Sequence, residues 1–506
     1  MLNKFNNKVS KNFFPDQNIK ELFSEGDVYD IAKNIQGKIF REAANRVTKE
    51  FTHNGTSYFI KFHEGIGWAE VFKNLLKIRL PTVGAKTEWK AINKLRELDI
   101  DCPEVAAVCY KGINPANSKS FIVTKSLVNT ISLEDALKQK KFQALGPKTK
   151  REFVKKIAEI SKKMHDGGMN HRDFYLCHFH VDIDLDVKKK IFLIDLHRAQ
   201  IRRRVPIRWA IKDIGGLFHS IIQFGISETD CYRFLSTYFN CSFRRLVREK
   251  SSFINKSRFR AYSMHMKPIL QEIDINSKNQ LPDSSTYQNE LGSNYRWIGK
   301  KEFLSDSILP ILRNLDFYME KGKVIKKERG HFIVSLDVGK NKIFIKKYQV
   351  KNFWHLIRKQ FSKSRAYNSW IAAHWLNTVG IETAKPIAVF EKFNTFTTLE
   401  SYLLSFAIEG TPLKESLYAS DHLRIISARI ASFFKRLRWI GFNHGDAKSS
   451  NFFFKKNLIV FDLDISKRRN FLMLIDRKIN KDILRIIRSF DDDGVSLEPL
   501  SKRLLK

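Results

Sequence analysis

The chain has 506 residues, with 90 Lys plus Arg against 53 Asp plus Glu and a formal net charge of +37. At roughly 100–200 residues per domain this is two to four domains, and 43% hydrophobic residues with 41 Phe exclude a disordered, solvating chain. The charge excludes an indifferent surface and calls for an anionic partner, whether nucleic acid, acidic lipid or a phosphorylated small molecule.

The opening residues, Met1-Leu2-Asn3-Lys4-Phe5-Asn6-Asn7-Lys8, contain no apolar stretch of the kind a signal peptide needs. No run reaches the roughly 18–20 apolar residues of a spanning helix. Cys102, Cys109, Cys177, Cys231 and Cys241 form no C-x-x-C pair and no metal-ligand spacing, which suits a reducing cytosol. The expectation is a cytoplasmic protein, soluble or bound to a membrane surface.

In chain order, residues 39–63 read as a hairpin, with Asn54-Gly55 as the turn between two alternating runs. The second run, Ser57-Tyr58-Phe59-Ile60-Lys61, ends on a lysine. Residues 86–98 and 150–166 have helical periodicity, the latter through Phe153, Ile157, Ile160 and Met164. Residues 170–194 read as a loop between short β-runs. It begins His171-Arg172-Asp173 and leads into Ile191-Phe192-Leu193-Ile194-Asp195.

The same punctuation returns in the second half. Lys342-Ile343-Phe344-Ile345-Lys346 repeats the strand with its lysine, and Trp370 followed by Ile381 repeats Trp89 and Ile100. His444-Gly445-Asp446 repeats the His-x-Asp triplet, Leu458-Ile459-Val460-Phe461-Asp462 the β-run ending in Asp, and Lys481-Asp482-Ile483 the earlier Lys212-Asp213-Ile214. Common order with slowly drifting spacing is the signature of a duplication with changes in loop length. Residues 423–440 repeat the helix and 441–462 the loop. The polar stretch 271–295 reads as a linker, giving domains at 30–270 and 296–506. Strands first and helices after, twice, predict an α+β chain of two bilobal domains, each with a small β-rich lobe and a larger helical one.

Phosphoryl transfer makes demands that these residues meet. It needs a cation at the α- and β-phosphates, carboxylates for Mg²⁺ and a carboxylate to receive the acceptor hydroxyl's proton. Lys61 sits where a strand-borne phosphate lysine belongs, and Glu88 on the following helix can pair with it. Asp173 is the candidate base and Asp195 the candidate metal ligand. The second half offers Lys346, Asp446, Asn451 and Asp462, with Asn451 five residues after the base. A lysine ending a strand is usually a solvated charge and an Asp after a strand usually a turn residue; their ordered recurrence favours the catalytic reading. No G-x-G-x-x-G precedes either lysine, since Gly37 and Gly330 stand alone, so a phosphate-covering loop is atypical. His178 and His180 lack partners at metal spacing; His178 instead takes the place of the metal-binding Asn, five residues after Asp173. Asp213 and Asp482 read as loop anchors. Basic runs such as Arg202-Arg203-Arg204 read as solvated faces flanking the site.

The strings Lys73-Asn74-Leu75-Leu76-Lys77-Ile78-Arg79-Leu80-Pro81, Glu88-Trp89, Asn170-His171-Arg172-Asp173-Phe174-Tyr175-Leu176-Cys177-His178-Phe179 and Ile194-Asp195-Leu196-His197-Arg198-Ala199-Gln200 resemble the heptose kinases of the Kdo/WaaP lipopolysaccharide kinase family, over residues 35–240. The second half resembles a more distant member through His444-Gly445-Asp446-Ala447-Lys448-Ser449-Ser450-Asn451 and Phe461-Asp462-Leu463-Asp464. The resemblance implies a protein-kinase-like fold, ATP with Mg²⁺, and transfer to a heptose hydroxyl on a lipid A-core glycolipid at the inner face of the cytoplasmic membrane. It carries over Lys61, Glu88, Asp173, His178 and Asp195 in kinase-like roles. An anionic glycolipid on an anionic membrane accounts for the charge without nucleic acid. In the second half Ser369 falls opposite Glu88, so Lys346 lacks that partner. The expectation is a second sugar kinase, against a degenerate docking domain. The competing functions are an aminoglycoside- or choline-type phosphotransferase and a basic pseudokinase scaffold.

Overall fold

The structure, a computed structural model, describes residues 10–43, 46–65, 84–112, 118–277, 286–328, 330–349, 363–393, 398–416, 422–469 and 472–492. The string 73–81 and the residues between the first two strands of the expected hairpin region, 44–45, lie outside them. The chain divides into two compact units, Met1–Ala261 and Tyr262–Lys506, and both mix helices with sheet.

The first unit holds a six-stranded antiparallel sheet in the order Ser10–Phe13, Val105–Lys111, Lys119–Lys125, Thr56–His63, Arg46–His53, Lys38–Ala43. The Asn54-Gly55 turn is as expected, with φ +47° and +74°, the positive pair that a two-residue type I′ turn requires. The stretch 39–63 is more than one hairpin, because Lys38–Ala43 adds a third strand. Alternation along Thr56–His63 buries Tyr58, Ile60 and Phe62 on one face, against Ile19, Phe23 and Tyr29 of the N-terminal segment. Lys61 therefore points to the other face, next to its ladder partner Ile122. On that face lies the helix Ala85–Glu97, which buries Trp89, Ile92 and Leu95 against Val108 and Ile122. Each such apolar side chain, fully buried, contributes about 1.5–3 kcal/mol. Packing thus fixes which turn of this helix meets the lysine.

The helices Pro147–Asp166, Ile207–Ile221 and Glu228–Phe239 share one apolar core with it. Two short ladders emerge beside that core: Met169–Asn170 with Gln200–Ile201, and Phe179–Asp182 with Phe192–Leu193. The first staples the His171-Arg172-Asp173 segment to the chain that follows Asp195.

The second unit holds a seven-stranded antiparallel sheet in the order Tyr287–Leu291, Tyr295–Lys300, Pro386–Phe393, Thr398–Phe406, Asn341–Gln349, His331–Val338, Lys323–Glu328. Ile343 and Ile345 are buried on one face. Lys346 and Tyr348 lie on the other, where Tyr348 packs with Tyr367 and Trp370 of the helix Arg365–Thr378. The ladders Phe442–Asn443 with Lys467–Arg468 and Phe452–Phe454 with Leu458–Val460 again bracket the His-x-Asp segment and the second Asp. The polar stretch 271–295 is not a plain linker. The helix Ser251–Ser277 runs into it and the edge strand Tyr287–Leu291 lies inside it; residues 278–285 are outside the described residues. No helix among the described residues is long and apolar enough to cross a membrane.

Candidate functional site

In the first unit the five expected residues form one continuous chain of contacts. Lys61 Nζ lies 2.6 Å from Glu88 Oε1 and 3.1 Å from Asp195 Oδ1. His178 Nε2 stands 3.6 Å from Asp195 Oδ2, while its Nδ1–H donates to the Asp173 carbonyl at 2.6 Å. The Asp173 carboxylate accepts from Arg198 at 2.7 Å. His171 and Asp213 build the support. His171 Nε2–H donates to Ile194 O at 2.9 Å, tying the residue two before Asp173 to the residue just before Asp195. Asp213, fully buried, accepts from the backbone N–H groups of His171 at 2.7 Å and Arg172 at 2.9 Å, and pairs with His165. This is the anchoring expected of Asp213, and it holds Arg172 at φ +76°, a conformation that needs outside support in a non-glycine residue.

Burial opposes charge on Lys61, yet Glu88 and Asp195 outweigh it and raise its pKa. Burial likewise opposes ionisation of Asp195, but the His197 hydrogen bond (2.8 Å) and the Lys61 charge hold its carboxyl well below the carboxylate range. Neighbouring His63 is pushed down to about 3 by burial and by the Arg46 and Lys61 charges. The site therefore presents a charged lysine against an ionised Asp195 at neutral pH.

In the second unit Lys346, Asp446, Asn451 and Asp462 line one cleft of about 750 Å³. Lys346 pairs with Asp462. Asn451 Nδ2–H donates to the Asp446 carbonyl at 2.7 Å, as His178 does to Asp173. His444 Nε2–H donates to Phe461 O at 2.9 Å, and Asp482 accepts from Gly445 N–H at 3.0 Å, repeating the two supports. Burial works against the Asp462 charge, but Lys346 prevails and holds it at about 2. Ser369 does not reach Lys346; its hydroxyl lies 3.3 Å from the Tyr348 hydroxyl.

A family model for the lipopolysaccharide kinase (Kdo/WaaP) family matches residues 31–238 and again residues 316–503. The chain belongs to the Kdo/WaaP family. Its first half is similar to the lipopolysaccharide core heptose(I) kinase WaaP of Escherichia coli, at 37% identity over 255 residues, which is 50% of this chain and 96% of that protein. The WaaP of Pseudomonas aeruginosa is 38% identical over 242 residues, 47% of this chain and 90% of the relative. A solved structure, WaaP in complex with acyl carrier protein, is 30% identical and covers 50% of this chain and 99% of its own, with a TM-score of 0.44.

Several contacting residues escaped the motif reading. Arg46, 3.5 Å from Asp195, comes from a strand distant in sequence, so no motif could flag it. His197 and Arg198 sit inside the family-like string after Asp195 and were legible only as part of it. In the second unit Arg365 pairs with Asp464, which stands two residues after Asp462. Among the described residues no group of three or more His, Cys, Asp or Glu forms a metal cage. Mg²⁺ prefers oxygen donors and takes much of its shell from phosphates and water. The Asp462 carboxylate and the Asn451 amide oxygen suit that ion. In the first unit Asp195 supplies the hard donor, while the His178 nitrogen is a softer one.

Proposed function

We propose that the chain is an ATP-dependent sugar kinase of two bilobal kinase-like domains in tandem, the first phosphorylating a heptose hydroxyl of the lipopolysaccharide inner core. The observation that carries this is the unbroken contact chain from Glu88 through Lys61, Asp195 and His178 to Asp173, within a half that is 37–38% identical to named heptose(I) kinases. The repeated match of the family model, over residues 31–238 and 316–503, supports two domains, with the boundary near residue 261 rather than at a linker over 271–295.

In this reading Lys61, held charged and oriented by Glu88, receives the α- and β-phosphates. Asp195 and His178, and in the second domain Asp462 and Asn451, face the metal side of the nucleotide; a bound Mg²⁺ supplies charge neutralisation there. Asp173 accepts the proton of the heptose hydroxyl as that oxygen bonds to the γ-phosphorus and the bond to the ADP oxygen breaks. Arg198 keeps the Asp173 carboxylate aimed and adds positive charge where the phosphoryl group passes. The acceptor is an already anionic lipid A-core glycolipid at a membrane surface, and the +37 charge suits both. Asp446 serves as base for a second core sugar. A docking role without catalysis is the competing reading of the second domain, favoured by Ser369.

The test is phosphate transfer from ATP to purified core glycolipid, with mass spectrometry locating each phosphate. Asp173→Asn is expected to lower heptose phosphorylation by about 10²–10⁴-fold with the melting temperature kept. Unchanged phosphate at every position in both Asp173→Asn and Asp446→Asn proteins would sink the assignment.

A further inference from the structure

The second unit has lost the glutamate that pairs with the nucleotide lysine, yet the charges around its cleft have changed together. Aligned on the lysines, the Trp residues and the second Asp, four positions around the cleft differ between the units: Gly84 becomes Arg365, His63 becomes Tyr348, Glu88 becomes Ser369 and His197 becomes Asp464, and the lysine exchanges its carboxylate pair for Asp462 alone. In the first unit the anion stands on the helix and the cation on the strand. In the second the helix carries the cation, Arg365, and the loop after Asp462 carries a new anion, Asp464.

These two are joined. Both Nε and a terminal nitrogen of Arg365 reach the same Asp464 oxygen. The Asp464 side chain is 2% exposed and that of Arg365 20%. Arg365 is the first residue of its helix, capped by Ser364, whose hydroxyl accepts from Tyr367 N–H. The buried Tyr348 ring has Lys346 Nζ and Arg365 Cζ each 5.0 Å from its centroid, so one aromatic face system takes up both cations. Lys346, Tyr348, Arg365, Asp462 and Asp464 all line the cleft that holds Asp446 and Asn451. A charge this buried is kept only with a partner, and a bidentate-capable guanidinium fixes geometry as well as charge.

We infer that the Arg365–Asp464 pair replaces the lysine–glutamate tie in the second unit: it fastens the helix Arg365–Thr378 to the loop bearing Asp462, so that Lys346 and Asp462 stay aimed at the phosphates of a nucleoside triphosphate. The inference rests on the reading that this unit binds a nucleotide. Arg365 and Asp464 are positioning residues in it, and Ser369 is a consequence of the relocated charge rather than a mark of lost function.

Mg²⁺-ATP binding to the full chain tests this, measured by calorimetry in an Asp195→Asn background that removes the first unit's metal carboxylate. Single variants that strand a buried charge are prone to unfold, so the double variant Arg365→Met/Asp464→Asn, which leaves no unpaired charge, is the central protein. It is expected to keep its nucleotide-free melting temperature and to bind Mg²⁺-ATP about tenfold more weakly, while Arg365→Lys stays within about threefold of the parent. Arg365→Met and Asp464→Asn singly, where they fold, are each expected to weaken binding as much as the double, because the pair acts as a unit. A double variant that binds like the parent overturns the inference, and so do single effects that multiply. Asp462→Asn separates the layers. If it abolishes binding while the double variant binds normally, only the tie is wrong; if it changes nothing, the nucleotide reading of this unit falls as well.

Discussion

Asp195 and Asp462, in different units, both hold the left-handed backbone conformation, with φ +59° and +56°. Few non-glycine residues sit there, and aspartate is among those that tolerate it at least cost. The preceding residue's carbonyl is in each case tied down by the histidine of the His-x-Asp triplet, Ile194 O by His171 and Phe461 O by His444. The turn aims each carboxylate back at a strand lysine, Lys61 or Lys346. Both halves thus solve the problem of presenting an ionised Asp to a lysine by the same backbone device.

Removing Glu88 should cost stability as well as nucleotide affinity. Its side chain is 4% exposed and that of Lys61 16%, so Glu88→Gln leaves a buried ammonium with Asp195 as its near carboxylate. A loss of about 3 kcal/mol in urea unfolding of the first unit is expected, with a raised KM for ATP. A variant with parent stability and parent KM contradicts the assigned pairing.

His178→Asn installs in the first unit what Asn451 is in the second. The asparagine amide can make the same donor bond to the residue-173 carbonyl and offers the metal side an oxygen in place of a nitrogen. Activity within about tenfold of the parent is expected, with saturation at lower Mg²⁺ concentration, whereas His178→Ala should lose about a hundredfold or more. Mg²⁺ titrations of initial rate on both variants check this.

The loop anchors should behave as a matched pair. Asp213→Ala leaves the His171 and Arg172 N–H groups without their buried acceptor, at about 1–3 kcal/mol for each group so stranded. Asp482→Ala strands the Gly445 N–H in the second unit. The first substitution is expected to lower stability and kcat together, and thermal unfolding followed with turnover measures both.

His63 predicts a particular pH dependence. Its pKa falls from 6.5 to about 3 on folding, so between those values the unfolded chain binds a proton that the folded one does not. Stability should therefore rise with pH across that window, by up to about 1.4 kcal/mol per pH unit from this residue, and level off above 6.5. Urea midpoints from pH 4 to 7 should show a shallower slope in His63→Gln than in the parent.

Part of the candidate site was legible in linear order because Asp173 and Asp195 each follow a short β-run that hydropathy marks. Lys61 instead lies inside the strand Thr56–His63, and only the face it occupies distinguishes it from a solvated lysine. The polar stretch 271–295 misled because an edge strand such as Tyr287–Leu291 can be polar: only part of it faces a core. Arg46 gave no local signal, since its meeting with Asp195 depends on the pairing of Arg46–His53 with Thr56–His63.

By itself the sequence determined the α+β class, the recurrence of the same motifs in both halves and the family, because periodicity and junction residues are local properties. Tertiary structure alone decided which charges meet. Lys61 finds Glu88 because alternation turns it toward the face where Trp89 buries the helix. Lys346, on the corresponding face, finds Asp462 instead, and Arg365 takes Asp464 across 99 residues of chain. Ion pairs between elements depend on register and helix rotation set by the packing of apolar faces, and no reading of residues in order contains that geometry.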